Sequence, residues 1–395
     1  MPDLLESKAV RPETAAKSLR VVMLMNVIAP YHKPLLDKLA ERFGDLRILL
    51  STPMESNRPW NLEWAGLNVS VQRNITLHRR WRHPQGFSEP LFVHVPVDTL
   101  PQLFRLQPDV VISWEMGART ILASAYRRMS RSKLMVWAEF AEVTEYGRGS
   151  MRQMVRRSLH HGIDGFLVTG ASGARYLQAI GVPARKLYPI VYTTEVERFA
   201  AAGFVRTSEC RRQLLFVGQL IERKGLLSFI DVAARWSKVH PEMQIVFTLV
   251  GDGPLRARLE NYPAPPNLEL VFRGNLDYED LPAVYAQAGI FVFPSMADTW
   301  GVVVNEALSA GLPVLGSLNA QAVSELVEEG HTGWTFRPDR TDEMYAALDR
   351  ALTAPDAQVM AMRQRARETA LRLTPAYMAD LVQNAIVRCV SDESS

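Results

Sequence analysis

The sequence predicts an α/β protein made of two Rossmann-like, doubly wound domains that face each other across a cleft. Short buried-strand patterns alternate with helix-like stretches, and such alternation favours a parallel sheet covered by helices on both faces. The 395 residues, 47% of them hydrophobic, are too many for one compact core and suit two domains. Residues 188–212 show little periodicity, so they predict the linker between the domains.

The first predicted domain covers residues 19–195 and follows a tail, residues 1–18. The tail is charged and has no apolar segment, which excludes a secretory signal and predicts disorder. A loop at 29–34 and a helix-like stretch at 35–43 follow the first strand, as expected at the start of a doubly wound sheet. The strand patterns of this domain occupy residues 19–26, 45–50, 69–73, 109–113, 134–138 and 165–169.

The second predicted domain covers residues 196–371 and repeats the strand-helix alternation. Its strand patterns occupy residues 213–218, 246–250, 268–273, 290–293, 313–316 and 333–336. A last segment, residues 372–395, contains a helical pattern at 375–390.

The charge of the chain is small in total but unevenly divided. The formal net charge is +3, with basic residues in excess in the first half and acidic residues in excess in the second. A basic first half is consistent with an anionic membrane surface or a pyrophosphate-linked acceptor, and equally with a solvated basic face that has no partner. Cys210 and Cys389 imply no disulfide framework and fit a reducing compartment.

The most informative stretch is residues 293–314, which predicts a buried strand, a loop, a helix and a second buried strand. Asp298 lies in the loop, Gly301 starts the helix and Glu306 lies in its first turns. A helix N-terminus at the end of a parallel strand is an anion site, because its free N–H groups and its dipole favour negative charge. Two acids beside such a site can hold hydroxyls on either side of a phosphate, as in a nucleotide sugar. A helix-capping Asp and a surface Glu are the alternative.

This stretch resembles the signature of the retaining family-4 glycosyltransferases, an acid followed after seven residues by a Glu. The resemblance includes Pro294, Ser295, Ala307, Gly311 and Pro313 and extends to residues 325–333. It implies the GT-B fold, with Asp298 at the donor sugar and Glu306 at the ribose, and a metal-independent reaction without a cofactor. It also implies that the last segment, residues 372–395, forms a helix that crosses back onto the first domain. The first acid is Asp here, where the family usually has Glu. Other donor-site residues that the resemblance implies in this stretch are Thr299, Trp300, Gly301 and Val302.

Two further segments match donor-site elements of the same family. Residues 218–225 correspond to a loop whose Lys and Arg neutralise the donor pyrophosphate; Lys224 matches, the Arg position is Gln219, and Arg223 is a candidate replacement. Fixed cations are useful there because the leaving diphosphate develops charge. No Asp-x-Asp triplet occurs, which argues against the metal-dependent glycosyltransferase fold. The remaining donor-site candidates are Gly218, Gly251, Arg273, Gly274 and Leu276.

The first domain supplies the candidates on the acceptor side. The loop with Pro30, Tyr31 and His32 resembles the start of many bacterial family members and is expected to border the acceptor. Many relatives have a His near the reacting carbon after the 134–138 strand. Glu139 is the candidate at that position, either as an electrostatic stabiliser or as an acceptor-binding or capping residue, and Glu115 is a weaker one.

The resulting hypothesis is a retaining glycosyltransferase that moves a hexosyl unit from a UDP- or GDP-sugar to a polysaccharide or lipid-linked acceptor. A cytoplasmic location is expected. Residues 78–83 and 148–161 interleave basic residues with aromatic or apolar side chains. The helix-compatible stretch 148–161 predicts either peripheral contact with an anionic membrane, at the inner face of the cytoplasmic membrane, or a helix that packs its apolar stripe on the sheet. No nucleic-acid partner is expected. The alternatives are a nucleotide-sugar epimerase or phosphorylase of the same fold, or a catalytically silent binding protein.

Overall fold

The computed structural model describes residues 16–55, 64–201 and 208–391 of the chain. It contains two parallel sheets, whose central strands are largely buried and mostly aliphatic and whose edge strands at Asn68–Val71 and Leu268–Gly274 are partly exposed. Within the described residues, no helix combines the length and the apolar character needed to cross a membrane.

The first sheet has seven parallel strands in the order β3-β2-β1-β6-β7-β8-β9. Its strands are β1 (Arg20–Met25), β2 (Asp45–Leu50), β3 (Asn68–Val71), β6 (Val110–Trp114), β7 (Lys133–Ala138), β8 (Gly165–Thr169) and β9 (Leu187–Ile190). The helices of this part are α1 (Lys33–Arg42), α2 (Thr99–Leu106), α3 (Ala118–Met129), α4 (Glu142–Glu145), α5 (Ser150–Leu159) and α6 (Gly170–Ala179). From β1 the chain first adds β2 and β3 on one side and then β6 to β9 on the other, so the direction of winding reverses between β1 and β6, as in doubly wound folds.

The second sheet has six parallel strands in the order β12-β11-β10-β13-β14-β15. Its strands are β10 (Gln213–Val217), β11 (Ile245–Val250), β12 (Leu268–Gly274), β13 (Ile290–Phe293), β14 (Val314–Ser317) and β15 (Gly333–Phe336). The helices are α7 (Val196–Ala201), α8 (Leu226–Val239), α9 (Arg256–Glu260), α10 (Leu281–Gln287), α11 (Val302–Ser309), α12 (Gln321–Leu326), α13 (Thr341–Thr353), α14 (Asp356–Leu371) and α15 (Pro375–Ser391).

An antiparallel hairpin, which the sequence analysis does not predict, lies outside both sheets. It consists of β4 (Asn74–Arg82) and β5 (Ser88–Pro96), with Trp81 opposite Glu89 near its tip. The tip is braced against the α4–α5 region: His83 Nε2 lies 2.9 Å from the Val143 carbonyl oxygen, and the Arg148 guanidinium lies 3.9 Å from the centre of the Trp81 ring. The hairpin is therefore fixed on the first domain.

Helix α15 packs on the first sheet although it follows the second in sequence. Met378, Val382 and Ile386 are buried in the same core as β1 and α1. Arg42 Nη2 on α1 donates to Asp380 Oδ1 at 2.6 Å. This packing joins the end of the chain to the first domain.

Two expectations for the chain between and before the domains need correction. Residues 187–190, at the start of the predicted linker, form β9, the edge strand of the first sheet. Most of the predicted tail, residues 1–15, lies outside the described residues, but Ala16 is fully buried in the core of the first sheet. The domain bounds at 195 and 196 fall between β9 and β10 and stay a prediction.

Candidate active site

A cleft of about 880 Å³ lies between the two sheets, and residues of both domains line it. Most of the site residues predicted from the sequence lie on its walls. These are Pro30, Tyr31, Glu139, Gly218, Gln219, Arg223, Lys224, Gly251, Leu276, Asp298, Thr299, Trp300, Gly301, Val302 and Glu306. The structure therefore brings together segments that are up to 276 positions apart in the sequence.

Four predicted residues do not line this cleft. His32 lies in a small adjoining pocket, because its ring packs against Tyr31 and Trp114 and its Nδ1 accepts a hydrogen bond from the Ala29 N–H at 3.2 Å. Glu115 is exposed in a left-handed turn after β6. Arg273 is exposed on β12, the edge strand of its sheet. The Gly274 carbonyl accepts a hydrogen bond from the Gly251 N–H at 2.7 Å, which shapes the loop below the cleft.

Asp298 is the acidic centre of the site and contacts both candidate cations. Its Oδ2 accepts hydrogen bonds from Lys224 Nζ at 2.5 Å and from Arg223 Nη1 at 3.0 Å. Burial acts to raise the pKa of Asp298, but Lys224 and then Arg223 outweigh it and lower the pKa to about 2. Asp298 is therefore ionised at neutral pH and holds both cations beside α11.

The loop that carries Asp298 is fixed by hydrogen bonds to Asn319 and Gln321, which follow β14. The Asp298 N–H donates to the Asn319 carbonyl at 3.0 Å, and Asn319 Nδ2 donates to the Met296 carbonyl at 2.8 Å. Gln321 Nε2 donates to the Thr299 carbonyl at 2.7 Å. The loop is therefore held in place before any ligand binds.

Gly225 allows residues 218–225, the cation loop that carries Arg223 and Lys224, to approach residues 294–301, the acid loop that carries Asp298. Its φ of +67° lies in the left-handed region, and a Cβ there would meet the Pro294 carbonyl oxygen at 2.2 Å. Gly225→Ala is expected to destabilise the protein by about 3 kcal/mol or more, because the strain of the left-handed backbone adds to the clash. Urea unfolding measures the change.

Gly330 supplies the matched control for this prediction. Its φ is +73°, and a Cβ there would meet no atom within 4 Å. Gly330→Ala is expected to cost only the backbone strain, about 1 kcal/mol. Equal losses in the two variants would show that the contact with Pro294 does not matter.

Glu306 lies on α11 and is buried beneath the cleft. Gly301, with a φ of +98°, precedes the helix, and the first residues of the helix, Val302 and Val303, line the cleft. The first N–H groups of a helix have no partner within the helix. Tyr285 Oη donates to Glu306 Oε2 at 2.8 Å. Burial raises the pKa of Glu306 to about 7, although the Tyr285 hydrogen bond lowers it. One hydrogen bond leaves most of the acceptor capacity of this carboxylate for a ligand.

Glu139 faces the cleft from the first domain and is bonded to the interdomain segment. Tyr192 Oη donates to Glu139 Oε1 at 2.8 Å, and the Tyr192 ring stacks on Trp300 with ring centres 5.8 Å apart. Burial raises the pKa of Glu139 to about 7 against the lowering effect of the Tyr192 hydrogen bond. Tyr192 thus links Glu139 to the acid loop.

Several cleft residues are missed by the sequence analysis. Tyr192 falls in the predicted linker, and Glu89 lies on the unpredicted hairpin. Arg148, Arg198 and Tyr278 also line the cleft. For Arg148, a signal in the sequence is the basic and apolar composition of residues 148–161, which predicts a membrane-contacting helix and not a wall of the cleft.

Comparison with known proteins supports the predicted family and fold. Residues 211–354 match the sequence profile of the family described as Glycosyl transferases group 1. The alpha-D-kanosaminyltransferase of Streptomyces kanamyceticus is 27% identical over 205 residues, which are 49% of this chain and 51% of that protein. The sulfoquinovosyl transferase SQD2 of Arabidopsis thaliana is 27% identical over 290 residues, 67% of this chain and 55% of that protein. The chain spans about half the length of these curated relatives.

The crystal structure of Anabaena Alr3699/HepE in complex with UDP-glucose superposes with a TM-score of 0.69 at 15% identity, covering 94% of this chain and all of that one. The predicted GT-B fold is confirmed by this likeness, and the predicted resemblance is confirmed at the level of a group 1 glycosyl transferase domain. The assignment to the retaining family 4 stays a prediction, as do the roles of individual residues.

Proposed function

We propose that the protein is a retaining glycosyltransferase that moves a hexosyl unit from a UDP- or GDP-sugar to a polysaccharide or lipid-linked acceptor. The observation that carries the proposal is the convergence of Lys224 and Arg223 on Asp298 in the same cleft as Glu306 and the start of α11. Cations and a helix N-terminus suit a diphosphate, and a buried carboxylate suits the ribose hydroxyls. The named transferases among the relatives support the same class.

The reaction would use the cations on the leaving group. As the bond between the sugar and the diphosphate breaks, negative charge grows on the phosphate oxygens, and Lys224 with the α11 N–H groups would stabilise it. Retention is what the resemblance to the retaining family-4 glycosyltransferases implies. The acceptor hydroxyl would attack from the face that the phosphate leaves, and the departing phosphate would take the hydroxyl proton. Glu139, on the opposite wall of the cleft, would stabilise electrostatically the positive charge that develops on the sugar.

The acceptor side carries a surface that suits an anionic membrane. Helix α5 buries Arg156, which donates to Glu145 Oε2 at 2.5 Å, and it leaves Met151, Met154 and Val155 exposed. This arrangement is the reverse of a helix that packs its apolar side on a sheet. Exposed basic residues occur on the same helix, Arg157, and on the hairpin, Arg79, Arg80 and Arg82. The exposed methionines and arginines together support a lipid-linked acceptor.

The membrane contact predicts a specific loss of vesicle binding. Met151→Glu combined with Met154→Glu is expected to weaken binding to phosphatidylcholine vesicles that contain phosphatidylglycerol by on the order of tenfold or more, because two apolar anchors become anionic. Cosedimentation measures the bound fraction. Met129→Glu is the matched control, since Met129 is equally exposed but lies on α3. Binding that is unchanged in the double variant would exclude α5 as the contact.

The alternatives make different predictions for the same cleft. An epimerase would convert the nucleotide sugar without an acceptor, a phosphorylase would need phosphate or pyridoxal phosphate, and a silent binding protein would release no nucleotide. The proposed transferase releases the nucleoside diphosphate and attaches the sugar to another molecule.

A thermal-shift screen with UDP, GDP, ADP and their sugar conjugates tests the donor site. A nucleotide at a hundred times its dissociation constant stabilises the folded state by about 2.7 kcal/mol. We expect one nucleotide class to raise the unfolding temperature of the wild type, and we expect Glu306→Ala to abolish that shift. No shift with any of them at saturating concentration would contradict the proposed function.

A further inference from the structure

The cation Arg223 is shared between the two domains. Its Nε donates to Glu89 Oε1 on β5, and its Nη1 donates to Asp298 Oδ2 and to the Ala297 carbonyl, both at 3.0 Å. Among the described residues, its Nη2 group donates no hydrogen bond. The Arg223 guanidinium is therefore fixed on the wall of the cleft, and its two Nη2 N–H groups remain for a ligand.

The hairpin holds Glu89 firmly at this position. One side of the hairpin tip is braced by the contacts of His83 and Trp81 with the α4–α5 region. On the other side, the Ser88 N–H donates to Glu222 Oε2 at 3.3 Å, next to the cation loop. Glu89 is paired with Trp81 in this braced hairpin, so its backbone is fixed, and its carboxylate is held against the Arg223 guanidinium.

The charges around Arg223 are balanced before any ligand binds. Two carboxylates, Glu89 and Asp298, face the two cations Arg223 and Lys224, and all four side chains are mostly buried. A diphosphate that enters this group meets the repulsion of Glu89 but also a guanidinium that is already oriented. Glu89 raises the affinity for a diphosphate if the gain from orienting Arg223 outweighs the repulsion between Glu89 and the phosphates, and lowers it otherwise.

We propose that Glu89 is a positioning residue of the donor site, supplied across the cleft by the first domain, which holds the Arg223 guanidinium in place for the donor diphosphate. The inference rests on the proposed function, because it assumes a diphosphate ligand. Arg223 would replace the cation that the loop lacks at Gln219. Because Arg223 lies four positions later in the loop, its guanidinium needs a partner that holds it at the diphosphate, and Glu89 would be that partner. A preoriented guanidinium binds phosphate more tightly because less side-chain entropy is lost on binding.

Calorimetric titration with UDP and with uridine tests the proposal. Glu89→Gln is expected to raise the dissociation constant of UDP about tenfold and to leave that of uridine unchanged, since only UDP carries the diphosphate. A merely structural role would weaken both ligands or neither. A lower or unchanged dissociation constant for UDP would overturn the proposal, because repulsion would then dominate orientation or Glu89 would not act on the ligand.

Glu222→Gln is the matched control for charge and location. It removes one negative charge from the contact between the hairpin and the cation loop. The hydrogen bonds of the Arg223 side chain within the described residues do not involve Glu222, so UDP binding is expected to stay at the wild-type value. An equal loss in both variants would mean that only net charge or hairpin docking matters, and this result would also overturn the proposal.

A double-mutant cycle with Arg223→Gln completes the test. If Glu89 acts through Arg223, the double variant Glu89→Gln/Arg223→Gln binds UDP no more weakly than Arg223→Gln alone. Additive losses would contradict that route. Failure of the wild type to bind UDP or GDP at all would contradict the proposed function itself, and it is distinguished from failure of this inference by the wild-type titration. If the wild type binds only GDP, the same series uses GDP and guanosine.

Discussion

Replacing Lys224 by Met is expected to lower the rate of sugar transfer by about 10²–10³-fold. The Lys224 ammonium lies 2.5 Å from Asp298 Oδ2 and lines the cleft where the diphosphate is proposed to bind. Its charge is of greatest value as the sugar leaves, because the phosphate oxygens are most negative then. The release of nucleoside diphosphate from the donor, in the presence of acceptor or of water, measures the rate.

Two variants separate the charge of Lys224 from its effect on folding. Lys224→Arg keeps the charge and is expected to retain part of the activity. Lys238→Met removes an exposed lysine of α8, outside the cleft, and is expected to leave the rate unchanged. A Lys224→Met enzyme with at least a tenth of the wild-type rate would exclude Lys224 as the main cation of the leaving group.

Glu306→Gln is expected to stabilise the fold while it weakens donor binding. The pKa of Glu306 is raised from 4.5 to about 7, so the folded state favours the protonated acid. The carboxylate therefore destabilises the folded state increasingly as the pH rises from about 4.5 to about 7. At pH 8 the raised pKa corresponds to a loss of about 3 kcal/mol from the free energy of unfolding, and a neutral Gln removes that loss.

Urea unfolding of both proteins at pH 4.5 and pH 8 measures this effect. The two free energies of unfolding are expected to agree at the lower pH, and the variant is expected to be more stable at pH 8. The affinity for UDP is expected to fall about 10–100-fold, because hydrogen bonds from the ribose to a charged acceptor are lost. A variant that is less stable than the wild type at pH 8 would show that Glu306 is ionised and well compensated in the fold.

Most strands could be predicted from the sequence because their burial is complete. Residues 165–169 and 290–293 carry uninterrupted apolar runs, and their predicted bounds agree with β8 and β13. The hairpin could not be predicted in this way, since β4 exposes Arg79, Arg80 and Arg82 and has no continuous apolar side. The turn between its strands spans residues 83–87, longer than the two-residue turns that mark a hairpin in sequence.

The donor half of the site could be predicted because its chemistry lies in short contiguous motifs. Asp298, Gly301 and Glu306 belong to one loop and helix, and Lys224 ends one βα loop. Glu89 is 134 positions from Arg223, and no local pattern pairs them. Tyr192 contacts Glu139 only because β9 ends beside β8 and directs the chain across the cleft. Such contacts depend on tertiary structure, which spacing does not encode.

A crystal structure of the protein with a bound nucleotide diphosphate sugar is the decisive test of the proposed donor site. The diphosphate is expected to lie within hydrogen-bond distance of Lys224 Nζ and the first N–H groups of α11, with the ribose hydroxyls on the Glu306 carboxylate. A nucleotide bound outside the interdomain cleft, or one whose diphosphate contacts neither Lys224 nor α11, would contradict it.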